Sequence, residues 1–383
     1  MLAERMNRLG TETAFEVLSK ANKMESEGRE IIHLEIGEPD FDTPRNIIDA
    51  AIKALNDGFT HYGPSAGLPE TRKVFADFIS KDRGVDIGPE NIVVTPGAKP
   101  ILFFSILALV DAGDEVIYPN PGFPIYESVI NFVGGKPVPI PLREEKEFSF
   151  DLDEMKDLVN EKTKLIILNS PHNPTGGSLT PDDMKGIAEL AVEYDAWILS
   201  DEVYSKMVYD GDHVSIYDYP EVMDRTILLE GHSKTYAMTG WRLGYASMPE
   251  ELAAQIAKIQ TNSNSCTSTF IQKAGVEAVT GPQDESKKMM AEFKARRDMF
   301  VEGLNEIPGF KCLKPKGAFY VFPNITGTGK KSKEIEEYLL DEAGVAGLSG
   351  TSFGSYGEGY LRFSYANSQK NLKRALELIK EAL

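Results

Sequence analysis

Lys234 follows an apolar run, Thr226–Glu230, and precedes the turn-forming stretch Thr235-Tyr236-Ala237-Met238-Thr239-Gly240. An amine behind a buried strand is partly stripped of water, and desolvation favours its neutral form. A neutral amine can attack a carbonyl carbon and can later carry a proton. Asp201 stands directly after a second apolar run, Ala196–Ser200, with Tyr204 three positions on. An aspartate after a strand is also a favoured helix N-cap, so its type alone leaves two roles open. Asn173 lies in Ser170-Pro171-His172-Asn173-Pro174-Thr175-Gly176, behind Lys164–Asn169. Pro96-Gly97-Ala98-Lys99-Pro100 follows Ile92–Thr95 and opens a helical pattern. Glycine there lets the backbone approach an anion closely, and helix-start amides favour negative charge. Pro100 costs nothing in a first turn, where its missing N–H has no partner anyway. Arg242, in Thr239-Gly240-Trp241-Arg242, adds a candidate bidentate contact to that anion. Arg362 interrupts the otherwise apolar Leu361-Arg362-Phe363-Ser364, and an unpaired guanidinium is costly there, so an anionic partner is expected.

These residues share a place: each polar cluster follows the C-terminal end of a candidate strand. The strands are predicted at Ile92–Thr95, Glu115–Tyr118, Lys164–Asn169, Ala196–Ser200, Thr226–Glu230 and Leu243–Ser247. Most are continuously apolar, which suits parallel strands covered on both faces. Helical patterns at Ile101–Val110, Asp182–Tyr194 and Glu250–Lys258 alternate with them, and Thr180-Pro181-Asp182 reads as a helix start. The alternation predicts an α/β fold with a mainly parallel sheet, whose carboxyl edge is where ligands bind. Beyond residue 285 the pattern changes to a long charged helix, Ser286–Glu306, then strands at Phe310–Cys312, Ala318–Phe322 and Tyr360–Tyr365, then a helix Gln369–Leu383. This predicts a smaller α+β domain over 286–383, a large ligand-binding domain over 37–285, and an N-terminal segment, 1–36, packing with the small domain.

The 383 residues carry 41 Lys and Arg against 59 Asp and Glu, a formal charge of −18. That balance argues against nucleic acid, which is held largely by neutralising phosphates, but leaves room for a small anion in a local basic pocket. Hydrophobic residues at 42% and charged residues at 26% are globular values, which excludes a disordered chain. Cys266 and Cys312 form no C-x-x-C, so neither a disulfide framework nor a zinc knuckle is expected, and a reduced, cytoplasmic setting is. The opening MLAERMNRLG lacks the apolar core of a secretory leader. The longest apolar run, around Ile101–Val110, is far short of the ~20 residues that span a bilayer, so no membrane partner is expected. The five histidines show no metal-ligand spacing, so no metal is expected. Gly327-Thr328-Gly329-Lys330-Lys331-Ser332 lacks the first glycine of a P-loop and is a solvated turn; no G-x-G-x-x-G follows an early strand.

With Ile36-Gly37-Glu38-Pro39-Asp40-Phe41, Asn173-Pro174-Thr175-Gly176, Ser233-Lys234 and Gly240-Trp241-Arg242-Leu243-Gly244, the chain resembles the fold-type I pyridoxal-phosphate enzymes over nearly its whole length. More narrowly it resembles the class I/II aminotransferases of the aspartate aminotransferase superfamily. The resemblance implies a large domain with a seven-stranded-type sheet and pyridoxal 5′-phosphate as cofactor. It makes Lys234 the lysine that holds the cofactor and shuttles a proton between the substrate Cα and C4′. Asp201 matches the partner of the pyridine nitrogen, which keeps the ring protonated and able to accept electrons. Tyr204 and Asn173 match donors to the phenolic oxygen; Phe123 matches the aromatic stacked on the ring. Gly97, Ala98, Lys99, Ser233 and Arg242 match the phosphate site. Here the chain departs from the family, because Gly231 stands where a serine hydroxyl is usual; Ser233 is the nearest replacement, and a weaker or rearranged phosphate site is expected. Arg362 matches the clamp on the substrate α-carboxylate, assisted by Gly37 and Asn173. Tyr62 matches a tyrosine that reaches the phosphate of a neighbouring subunit, which implies a homodimer with shared active sites.

The implied reaction is a ping-pong transamination between α-amino acids and 2-oxo acids. Lys99 is the candidate contact for the distal carboxylate of aspartate or glutamate. Phe123 lacks the N–H that a tryptophan would add there, so aromatic or aliphatic donors are also expected, with 2-oxoglutarate as acceptor. A carbon–sulfur β-lyase on the same scaffold uses the same proton-removing residues and is the enzymatic alternative. A transcriptional regulator sensing the cofactor is disfavoured by the charge of −18 and by the roughly 35 residues preceding Gly37, too few for a DNA-binding domain.

Overall fold

Seven strands form the central sheet, in the spatial order Ile92–Thr95, Gly244–Ser247, Thr226–Gly231, Trp197–Asp201, Thr163–Asn169, Glu115–Asn120 and Lys136–Pro141. They belong to a computed structural model that describes residues 2–383. Neighbours run parallel except Gly244–Ser247, which is antiparallel to both of its partners. Leu165, Ile166, Ile167 and Leu168 are all fully buried, so successive side chains are covered on opposite faces. On one face Val93, Leu165, Ile167 and Leu229 pack under helices carrying Ile101, Phe104, Tyr126 and Ile256. On the other, Ile166, Ile198 and Leu228 meet Phe75, Ile79, Met184 and Ile187. The mainly parallel α/β architecture expected from the apolar runs is therefore present.

Local signals explain some of the element boundaries. The Thr180 hydroxyl accepts the Asp183 amide at 3.2 Å while the Asp183 carboxylate accepts the Thr180 amide at 2.8 Å, a capping box ahead of the helix Pro181–Glu193. One strand of the central sheet escaped the sequence pattern. Lys136–Pro141 reads Lys-Pro-Val-Pro-Ile-Pro, and alternating prolines argue against a strand. It forms the sheet edge, pairing with Glu115–Asn120 alone. Three prolines spaced by two put every missing N–H on the unpaired side, which also blunts the edge. Phe310–Cys312, expected as a strand, is not one: only Lys311 makes an isolated bridge, to Asn324, and the Cys312 amide donates to the Asn305 side chain at 2.8 Å. A side chain took the partner that a strand would have needed.

The C-terminal third forms a second core around Phe293, Phe300, Phe319, Phe363 and Tyr365. Its antiparallel sheet runs Leu348–Ser349, Leu361–Ser364, Tyr320–Val321, so Arg362 sits in the central strand. The N-terminal segment divides between the two cores. Arg8 donates to the Phe132 carbonyl at 3.2 Å and the Gly10 amide to Ser128 Oγ at 2.9 Å, both on the helical region after Phe123. Lys20 instead pairs with Asp341 at 2.7 Å, and Ile32–His33 pairs in parallel with Val345–Ala346. No helix of the described residues is long and apolar enough to cross a membrane.

Candidate active site

Asn169, Asp201 and Gly231 are the last residues of three adjacent parallel strands, and Thr95 ends on the same edge through two antiparallel pairings. A cavity of about 320 Å³ opens there, within the size of small-molecule sites. Lys234, Asp201, Asn173 and Tyr204 line it from the sheet edge, Arg362 and Tyr320 from the small unit, and Gly37 and Glu38 from the entering chain.

The Lys234 ammonium nitrogen donates to the Gly37 carbonyl at 2.6 Å and lies 5.9 Å from the Tyr204 ring centroid and 5.6 Å from that of Phe319. Burial, then the positive fields of Arg362, Arg242 and Lys99, holds its pKa at about 8 against an ordinary 10.5, with Glu38 opposing. The amine is thus partly neutral near physiological pH, the state a nucleophile or base requires.

Asp201 is buried, and Tyr126 donates to its Oδ2 at 2.8 Å. The Asn169 side chain braces the same strand end by donating to the Asp201 carbonyl at 3.0 Å. Turn residues and not a helix follow Asp201, which removes the N-cap alternative. Burial pushes its carboxyl up to about 6, while the Tyr126 hydrogen bond and the Lys234 charge pull it down. A cation that docks against such a carboxylate stabilises its ionised form.

The turn before the helix Lys99–Leu109 forms an anion cradle. Gly97 has φ +91°, and a Cβ on it would fall 2.3 Å from the Arg242 guanidinium, so glycine is required where arginine crosses the turn. A Cβ at Gly244 would meet the Ala98 amide nitrogen at 2.5 Å, which packs the turn onto the sheet. Pro100 has no N–H and the Ile101 amide donates to the Ala98 carbonyl at 3.0 Å, which leaves the Ala98 and Lys99 amides at the helix start, beside Ser233 and Arg242 on the cavity wall. Gly231 differs: a Cβ there would rest 3.4 Å from Val203 and 3.5 Å from Ala98, ordinary contacts.

Arg362 is buried, and one amino group donates to Asn173 Oδ1 at 3.4 Å while the other donates to the Glu35 carbonyl. Its Nε has no partner, and among the described residues no carboxylate pairs with it. The guanidinium lies 4.7 Å from the Tyr320 ring centroid and 4.9 Å from that of Phe353. The Tyr204 and Tyr320 hydroxyls share a hydrogen bond at 2.8 Å, and burial raises both pKa values, so both remain proton donors. A Cβ at Gly37 would lie 2.1 Å from the Tyr320 hydroxyl, so only glycine lets this loop pass.

Phe123 lines the cavity, packed edge-on to Tyr126 at 6.0 Å, with the Lys99 ammonium 5.2 Å from its centroid. Lys99 is not free, because it forms an ion pair with Glu12. Tyr62 stands apart: it is 89% exposed and does not line this cavity. Tyr126, Asn169, Tyr320 and Glu12 are site residues that the sequence pattern missed. Asn169 had a signal, as the last residue of a strand predicted to end at the ligand-binding edge; the others had none.

The family described as aminotransferase class I and II matches residues 29–379 of the chain. An aspartate aminotransferase of Pyrococcus horikoshii is 41% identical over 385 aligned positions, covering 100% of this chain and 97% of that one. An aromatic-amino-acid aminotransferase of Thermococcus litoralis is 42% identical, covering 92% of each. The solved structure of an aspartate aminotransferase from Thermus thermophilus, crystallised with maleate, superposes with a TM-score of 0.96 at 35% identity and full coverage of both chains.

Three outcomes follow from this geometry. Capture of pyridoxal 5′-phosphate by the cofactor-free chain, followed by absorbance, is expected to accelerate with rising pH and reach half its maximum near pH 8, the Lys234 value; a rate still climbing toward the ordinary lysine value would contradict the desolvated amine. Asp201→Asn is expected to keep the fold and the cofactor while lowering kcat by about 10²–10³-fold or more. A capping role would instead cost ~1 kcal/mol of stability and leave the rate intact. Gly231→Ser is expected to fold normally and to lower the Kd for the cofactor about tenfold, the worth of one hydrogen bond to a charged group. Unchanged or weaker binding would show that the cradle cannot use a hydroxyl there.

Proposed function

The chain belongs to the class I and II aminotransferases, and we propose that it transfers the amino group of aspartate or glutamate to a 2-oxo acid such as 2-oxoglutarate, with aromatic or aliphatic donors also used. The observation that carries this reading is Arg362, a buried guanidinium without a carboxylate, in the same cavity as the desolvated Lys234 amine. An α-amino acid offers both groups what they lack, a carboxylate and a Cα proton within one small molecule.

The residues fit pyridoxal 5′-phosphate, the cofactor of this family. The Gly97 cradle would hold a phosphate, Asp201 a protonated ring nitrogen, and Lys234 an aldehyde. When bound, the cofactor supplies an acceptor for the amino group and a ring that takes up the electrons released at Cα. In the ping-pong cycle Lys234 takes the Cα proton of the donor and returns a proton on the way to product. Asp201 keeps the ring nitrogen's proton in place, and Tyr126 orients that carboxylate. Tyr204 and Asn173 would offer donors to the phenolic oxygen, and Phe123 would stack against the ring. Ser233, Ala98 and Arg242 receive the phosphate. Arg362, with Gly37 and Asn173, holds the substrate α-carboxylate.

Because Arg362 lies in the unit 286–383, with most of 1–36 against it, that unit is the part expected to close on 37–285 when substrate binds. A homodimer is part of the proposal: Tyr62, Ile52 and Leu55 are 89%, 46% and 44% exposed, apolar surface that a second copy would cover. So is cytoplasmic residence, in keeping with the two unpaired thiols Cys266 and Cys312.

The test is a panel of aspartate, glutamate, phenylalanine and leucine against 2-oxoglutarate, pyruvate and oxaloacetate. Amino transfer that requires an oxo acid is expected, and Lys234→Ala is expected to abolish it while leaving the melting temperature close to that of the wild type. Release of ammonia and pyruvate from cystathionine without an oxo acid would favour a β-lyase. The active species is expected to sediment as a dimer, and a fully active monomer would remove Tyr62 from the site.

A further inference from the structure

We propose that Glu12 sets the donor preference of this enzyme, as an internal carboxylate that occupies Lys99 and with which the distal carboxylate of an acidic donor must compete. The inference rests on the transaminase reading and concerns the side-chain end of the same cavity.

Four cationic side chains reach that cavity. Lys234 is the reactive amine, Arg242 crosses the anion cradle, and Arg362 awaits the α-carboxylate. Lys99 is left to meet whatever the donor carries beyond its Cβ. It is not available as a bare cation, because Glu12 Oε1 is paired with it, with the two side chains 23% and 41% exposed respectively. Glu12 arrives on the N-terminal segment, anchored on one side by the Gly10–Ser128 pair of hydrogen bonds at 2.9 and 3.2 Å and on the other by the helix Ala14–Ser26. Its placement therefore does not depend on the helix that carries Lys99. Phe15, from the same segment, lines the cavity while 60% exposed, so the mouth presents an aromatic ring beside a neutralised lysine. Apolar donors meet this wall without a rearrangement. Acidic donors must break an ion pair before making one. A half-exposed pair is a weak one, so Glu12 biases the choice and does not forbid acidic donors.

Glu12→Gln keeps the shape and removes the charge. It is expected to raise the ratio of kcat/KM for aspartate over that for phenylalanine about fivefold, and to tighten inhibition by succinate relative to butyrate by a similar factor. In a Lys99→Met background the same substitution is expected to move neither ratio. Glu12→Asp, which keeps the charge on a shorter stem, serves as a second variant should the first fold poorly, and is expected to give an intermediate ratio. An unmoved ratio, a parallel change for both donors, or a gain that survives Lys99→Met would overturn the inference while wild-type transamination stands. A wild-type chain that transfers no amino group from either donor would overturn the functional reading itself, and this inference with it.

Discussion

Withdrawing the Lys234 amine from water is the constraint on which the site depends. Nothing on one element achieves it. The nitrogen donates to the Gly37 carbonyl from the entering chain and lies near the rings of Tyr204, from the sheet edge, and Phe319, from the small unit. Three separate parts of the chain must be in place before the amine loses its hydration and its pKa falls. The positive fields of Arg362, Arg242 and Lys99 add to the effect, so groups suited to anions also favour the neutral form of the base. Binding and catalysis are coupled through one electrostatic field.

Beneath this edge lies a second, largely buried arrangement of charge. Arg83 lies between two carboxylates, 2.9 Å from Glu202 and 2.8 Å from Glu230, and Glu202 also meets His213 at 2.6 Å and Ser215 at 2.8 Å. Burial alone would raise both acids. For Glu202 the charges of Arg83 and His213 outweigh burial and hold it at about 2; Glu230, facing Glu202 as a like charge, rises to about 7. Glu202 directly follows Asp201, and Glu230 directly precedes Gly231. The network therefore ties together the ends of the two strands that deliver Asp201 and the Lys234 loop. Removing one member would leave another buried and unpaired, which is more damaging than replacing the whole set.

The two ends of the cavity differ in how they are furnished. At one end a Cβ on Gly231 would make only ordinary contacts, and Ala98, Ser233 and Arg242 line the wall. At the far end Lys99 is matched by a carboxylate of the chain itself. Neither feature takes part in the hydrogen bonds of the Lys234 amine or the Asp201 carboxylate. Both alter what surrounds them, which is where relatives with the same chemistry can diverge in substrate.

The sequence by itself determined the α/β class, six of the seven strands of the large sheet, five of the helices, and the placement of Lys234, Asp201, Asn173 and Gly97 at strand ends. These are legible because strand burial, capping and turn geometry are written within a few consecutive residues, as in Thr180-Pro181-Asp182-Asp183. Only the tertiary structure decided which side chains complete the site. Tyr126 reaches Asp201 across 75 positions, Glu12 reaches Lys99 across 87, and Tyr320 reaches Tyr204 across 116. It also decided that Lys136–Pro141 is a strand, because an edge needs only half its hydrogen bonds and prolines can occupy the other half. The physical reason is the same in each case. A local pattern states what an element prefers, whereas a contact between distant residues exists only once the packing of the whole chain has chosen their neighbours.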